Sequence, residues 1–230
     1  MSTLHSLLGF EKGGLSGIQN AQRDWSPYLA HFTNYRAMAP LRRAITDLIS
    51  AKGIKDTLGE ADVTSFGVFQ AILASAALNK ARLDWDRTLE AVCFSECTLP
   101  GIFSLAEQFG RFGLIFKKSE AFALGVRPCI YLDDEKYGVL NRLTQDHRLN
   151  ADVASSIIDL CGLANVLRPP GQGQIQDYTH QREWRHFGNV SFAMLKPCMA
   201  VCPTEYTARV RELLPAIPVL PLDMLFEWGA

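Results

Sequence analysis

Three stretches of this 230-residue chain carry side chains whose types and spacing could do chemistry. His31-Phe32-Thr33 closes a strand-like run from Tyr28, so an imidazole and a hydroxyl arrive together just before the helix that Pro40 opens. A histidine satisfied by backbone is the competing reading. Ser95-Glu96 ends the apolar run Ala91 to Phe94, where a strand leaving the core either presents a hydroxyl and a carboxylate to a ligand or simply turns. Thr179 to Phe187, THQREWRHF, is the densest group of ionisable and aromatic side chains in the chain. On a strand, Trp184 faces the core while Glu183 and Arg185 share the other face, and Arg182 and Arg185 keep the Glu183 carboxylate ionised at neutral pH. The bland counterpart is an ion pair on a sheet surface, worth little energetically.

Metal chemistry is weighed and set aside. Cys93 and Cys97, and Cys198 and Cys202, share one spacing, but residues four apart on a strand lie about 13 Å apart, too far for a single zinc ion. Buried, inert thiols are expected, with no metal. Asp133, Asp134 and Glu135 could bind a hard cation, yet a solvated charged turn from Asp133 to Tyr137 accounts for them.

The elements that must position these residues centre on 91 to 118. Ala91 to Phe94 reads as one strand, and Phe112, Leu114 and Phe116 alternate along another. Further strands are expected at Tyr28 to Thr33, Pro128 to Leu132, around Trp184, at Val190 to Leu195, Cys198 to Cys202 and Ile217 to Leu220. Helices are expected from Pro40 to Gly53, over the stripe Phe66 to Ala77 with Ser65 as cap, from Ala151 to Leu167, and from Thr204 to Leu214. Residues 1–25 read as an irregular lead-in, and RPPGQGQIQDY after Leu167 as an exposed loop. Strands separated by helices without strict alternation give an α+β class with a mixed or antiparallel central sheet and flanking helices. The whole chain, 1–230, reads as a single domain with its core in 26–230.

Composition narrows the partners. With 48% hydrophobic and 20% charged residues and a net charge of −1, no general field draws in nucleic acid or an anionic membrane. No apolar run approaches the roughly 20 residues of a membrane-spanning helix, and Leu4 to Phe10 lacks the basic lead of a signal peptide. Six cysteines are too sparse for a disulfide scaffold, so reduced thiols and a cytoplasmic location are expected.

His31-Phe32-Thr33, Cys93-Phe94-Ser95-Glu96, Gly110 to Lys118, Arg182-Glu183-Trp184-Arg185 and Val201 to Tyr206 follow one another in an order that resembles the AbiGi antitoxin-type abortive-infection family of bacterial phage defence, over roughly residues 28–222. The resemblance implies a phage-defence setting and a protein partner: toxin, sensor or acceptor. His31, Ser95 and Glu183 are also similar in order and spacing to the histidine, hydroxyl and glutamate of ADP-ribosyltransferases. That looser likeness implies an α+β domain of transferase-like organisation using NAD, with Glu183, His31 and Ser95 catalytic and Thr33, Phe94, Arg182 and Arg185 against the cofactor. A carboxylate stabilises the oxocarbenium charge that develops as the nicotinamide–ribose bond breaks, and a paired arginine suits the phosphates. Gln181 stands two residues before Glu183, where the two-carboxylate version has a glutamate. This reading requires His31, Thr33, Ser95 and Glu183 to line one cleft. The alternative from another class is a non-catalytic antitoxin or immunity module that binds and neutralises a partner protein. A nucleic-acid regulator ranks last, nucleic acid remaining only a conceivable acceptor, because Arg42, Arg43, Lys117 and Lys118 build no basic stripe.

Overall fold

In a computed structural model, the structure describes residues 26–33, 60–83, 89–96, 98, 101–102, 105–106, 109–167 and 182–225. The lead-in 1–25, the helix expected from Pro40 to Gly53, Cys97 and the loop after Leu167 lie outside them. The class is α+β. One mixed sheet holds β1 (Tyr28–Phe32), β4 (Glu90–Glu96), β5 (Gly113–Lys117), β6 (Arg127–Pro128), β9 (Glu183–His186), β11 (Met199–Cys202) and β12 (Val219–Pro221) in the order β12-β11-β5-β1-β4-β9-β6, with β3 (Ala81–Arg82) beside β4. Only β11 and β12 pair in parallel within it.

The alternation along these strands divides the core in two. Leu29, Phe94, Leu114, Phe116, Ala200 and Cys202 point to one face. There α1 (Glu60–Ser75) lays Phe66 and Phe69 against Phe112, and α5 (Thr207–Leu213) adds Val210. Ala30, Phe32, Ile115, Met199 and Val201 point to the other face, where Ile102, Leu105 and Ala106 cover them. β5 is therefore buried on both sides, as expected of a strand at the centre of a sheet. A short α2 (Lys118–Leu124) follows it and stops at Gly125, whose φ of 101° is the left-handed cap that glycine supplies.

Several expectations are corrected. Ser95 and Glu96 do not turn: β4 runs through both, and both are buried. The single strand expected over Pro128 to Leu132 is two strands in different sheets, β6 and β7 (Ile130–Asp133), parted at Cys129. The charged turn at Asp133 is the start of a helix, α3 (Asp134–Leu143), because Asp133 caps it by accepting from Lys136 N at 2.8 Å. The helix from Ala151 ends at Leu163 as α4 (Ala151–Leu163), and the next four residues form β8 (Ala164–Leu167), parallel to β7. Val190 to Leu195 contributes only the two-residue β10 (Val190–Ser191), paired with β2 (Ala77–Leu78).

One close approach depends on a glycine. Gly110 has a φ of 114°, and a Cβ there would lie 2.4 Å from Thr33 O. Gly110→Ala therefore strains the backbone and pushes the end of β1 away, lowering stability by about 1–3 kcal/mol. A urea midpoint equal to that of the unaltered protein would show that the contact relaxes freely.

Candidate functional site

The ladders decide which predicted residues meet. Ala30 stands opposite Ser95 across β1 and β4, and Ser95 stands opposite Glu183 across β4 and β9. Directly paired residues share a face, so Ala30, Ser95 and Glu183 point the same way. His31 follows Ala30 and points the other way, opposite Leu114 and edge-on to the Phe94 ring at 5.9 Å. Thr33 lies on the side of His31, where its hydroxyl reaches Ser65 O of α1 at 3.3 Å and Phe112 O at 3.1 Å. The single cleft lined by His31, Thr33, Ser95 and Glu183 does not form, because the pleat sends them to two faces.

β1 pairs with β5 at five positions but with β4 only at Leu29 and Ala30. Past that point the strands diverge, and His31 spans the gap: its Nδ1 lies 2.8 Å from Cys93 O. A carbonyl only accepts, so Nδ1 carries the proton and Nε2 is left as the unprotonated nitrogen. Desolvation holds the His31 pKa below the ordinary value of 6.5, and the bond to Cys93 only partly opposes this.

On the face of Ser95, Glu183 and Arg185 make a closed unit. Arg185 Nε donates to Glu183 Oε1 at 2.9 Å and Nη2 to Oε2 at 3.0 Å. Nη1 donates to Gly162 O at 2.8 Å and Ala164 O at 2.7 Å. Asn165 Nδ2 adds a bond of 2.9 Å to Glu183 Oε2, and the Glu183 amide donates to the Tyr131 hydroxyl at 3.2 Å. The Arg185 and Glu183 side chains are 2% and 14% exposed, so this is a buried, bidentate pair and the surface ion pair is ruled out. Burial works against the Arg185 charge, but the Glu183 carboxylate outweighs it and the guanidinium pKa is raised. Cys93 and Cys129 flank the pair. Desolvation first, then the Glu183 charge, lifts the Cys93 thiol well above its usual range and pushes Cys129 up to about 12.

The other predicted cofactor contacts fare as follows. Phe94 is 1% exposed inside the core, between Phe116 and His31, so its ring cannot stack on a ligand. Arg185 cannot meet a phosphate while these bonds hold. Arg182 is partly exposed with a φ of 43°, and its carbonyl accepts from Glu96 N at 3.1 Å.

Glu96, whose carboxylate the sequence offered either to a ligand or to a turn, is 8% exposed and does neither. Its carboxylate accepts from Lys118 Nζ at 2.9 Å, Ser26 N at 3.2 Å and Trp184 Nε1 at 3.2 Å. Glu96, Lys118 and Trp184 come from three of the motif segments, and Thr33 and His31 bond a third and a second segment in the same way. The motif residues thus brace one another. The only legible signal was the repeated placement of a polar residue at a strand end.

Cys93 and Cys202 stand on β4 and β11, which β1 and β5 separate, roughly 14 Å of sheet. Among the described residues, no three His, Cys, Asp or Glu side chains gather as a metal would need.

Below Glu183 and Arg185 sits a lobe formed by β7, α3, α4 and β8, residues 130–167. α3 buries none of its residues and α4 buries only Cys161 and Gly162. Val139 and Leu143 of α3, Val153, Ile158 and Leu160 of α4, and Ile130 of β7 are exposed. A groove of about 210 Å³ runs between Ile158 and Asp159 of α4, Lys80, Leu89, Glu90 and Phe187. Among the described residues, no helix is long and apolar enough to cross a membrane. Comparison of the chain with protein-family models, curated proteins and solved structures finds no match in any of the three.

Glu183→Gln leaves the Arg185 guanidinium buried without its counter-charge, which costs about 3–5 kcal/mol of stability. Glu120→Gln, in the exposed pair with Lys117, is the control and leaves the urea midpoint unchanged. Equal midpoints for both variants would contradict the buried pair.

His31 generates a pH dependence. Its folded pKa lies below 6.5, so between those values the unfolded chain binds more protons, and stability falls as pH drops below about 6.5. His31→Asn keeps a donor toward Cys93 O and removes the titration, so the loss between pH 7.5 and 5.5 shrinks. An undiminished loss would place the acid sensitivity elsewhere.

Proposed function

We propose that this chain is an abortive-infection phage-defence protein that works as a binding module, engaging a protein partner in the cytoplasm through the exposed apolar side of α3 and α4. The observation that carries this reading is the closed state of Glu183. Both carboxylate oxygens are taken by Arg185 and Asn165, so it meets a developing positive charge already neutralised. Binding a partner needs surface complementarity and no free charge in a cleft, and Val139, Val153, Ile158 and Leu160 offer such a surface. The resemblance to AbiGi-type antitoxins supplies the setting and the kind of partner, a toxin or a sensor.

A second reading, an NAD-dependent transferase of ADP-ribosyltransferase-like organisation, lacks the single cleft it requires, since His31 and Thr33 lie on the face opposite Ser95 and Glu183, and keeps in its favour only the order of the strands. The strands that carry His31, Ser95 and Glu183 are consecutive neighbours, β1-β4-β9, and Ser95 lies directly beside Glu183. In that reading NAD is the cofactor, and the carboxylate must be released from Asn165 before it can act.

The two separate in cells expressing the chain with its flanking genes and challenged with phage. The binding-module reading expects Val139→Lys combined with Ile158→Lys to lose protection by at least about tenfold in plating efficiency, at unchanged melting temperature and with NAD constant through infection. A fall in NAD during infection, while the surface variant still protects, would replace binding with transfer.

A further inference from the structure

The lobe of residues 130–167 contributes no residue to either core cluster. Among the described residues its two strands pair with each other, and α3 packs on α4 and on both strands. Among the described residues, the hydrogen bonds that tie it to the sheet run to β9, and α4 also flanks Lys80, Leu89 and Glu90 across the groove. Gly162 O and Ala164 O accept from Arg185, Asn165 donates to Glu183, and Tyr131 accepts from the Glu183 amide. The Phe187 ring also lies so close to Gly162 that a Cβ there would be 2.5 Å from Cε1.

We infer that the lobe undocks from the sheet as a unit, with Arg185 as its latch, and that undocking uncovers the strip formed by Cys93, Ser95, Glu183, Arg185 and Cys129. The energetics favour this over opening either core cluster. Separating an apolar core exposes surface at about 25 cal/mol per Å², whereas each bond across this interface is replaced by one to water at a net cost of about 1.5–3 kcal/mol where one partner is charged and less where both are neutral. Arg185 and Glu183 both belong to β9, so the lobe departs without breaking the ion pair. The pair becomes hydrated and no charge is stranded. Local opening below the free energy of global unfolding is the consequence. The opened strip offers a carboxylate oxygen freed from Asn165 and two guanidinium N–H groups freed from carbonyls.

Cys129 reports on the strip and Cys202 on the rest of the molecule. Both are buried, Cys129 opposite Glu183 next to the lobe and Cys202 at 0% exposure on β11. Their thiol pKa values are pushed up to about 12 and about 11, so intrinsic reactivity works against Cys129. The full chain is treated with N-ethylmaleimide under native conditions, and each site is followed by peptide mass spectrometry. Cys129 is expected to react at least about tenfold faster than Cys202. Arg185→Lys, which keeps a positive charge but loses the fork to Gly162 and Ala164, speeds Cys129 by a further factor of about ten and leaves Cys202 unchanged. Phe187→Ala, which leaves the ion pair intact and removes only an exposed ring, speeds Cys129 in the same direction. This second variant keeps the test decisive if the lysine variant folds poorly. Equal rates at the two cysteines, or a Cys129 rate that neither variant changes, would overturn the inference.

Discussion

Burying a guanidinium is the constraint on which much of this structure turns. Arg185 presents five N–H donors in a fixed plane, and at 2% exposure water cannot satisfy them. Glu183, two residues away on the same strand, takes the edge formed by Nε and Nη2. The remaining Nη1 must find acceptors from elsewhere, and it finds the carbonyls that end α4 and begin β8. One side chain thereby sets where the lobe sits. It also leaves two thiols in an apolar, carboxylate-facing environment that suppresses their ionisation.

The same logic of satisfying polar groups runs through the other face. β1 and β4 part after two paired residues, which would leave the Cys93 carbonyl without a ladder partner, and His31 supplies one. Glu96 at the end of β4 is held by a lysine, an indole and a backbone amide drawn from three segments. Thr33 ties the end of β1 to β5 and α1. Five segments that the sequence singles out are therefore five adjoining strands, β9-β4-β1-β5-β11, cross-bonded by their polar residues. Such residues fix a fold as strongly as they would fix a catalytic site.

The lobe shows the reverse balance. Its helices leave Val139, Leu143, Val153, Ile158 and Leu160 exposed, and the hydrogen bonds that tie it to β9 are polar.

Local signals in the sequence were enough for the α+β class, the strands at Tyr28 and Gly113, the helix over Phe66 and Phe69, and the pairing of Glu183 with Arg185 on one face of a strand. Each depends on periodicity or on neighbours two residues apart. α3 reads in the sequence as a charged turn, although Asp133 followed by Asp134 and Glu135 is a cap with an acidic first turn. Other features were decided only by tertiary structure. Ala164 to Leu167 continues the apolar spacing of a helix, and a parallel neighbour thirty-odd residues earlier makes it a strand. Whether Glu183–Arg185 is a surface pair or a buried latch depends on a lobe that covers it. Whether His31 meets Glu183 depends on register across three strands, where a shift of one residue exchanges the faces. Periodicity states which residues of a strand point together; only the ladder states which way that is.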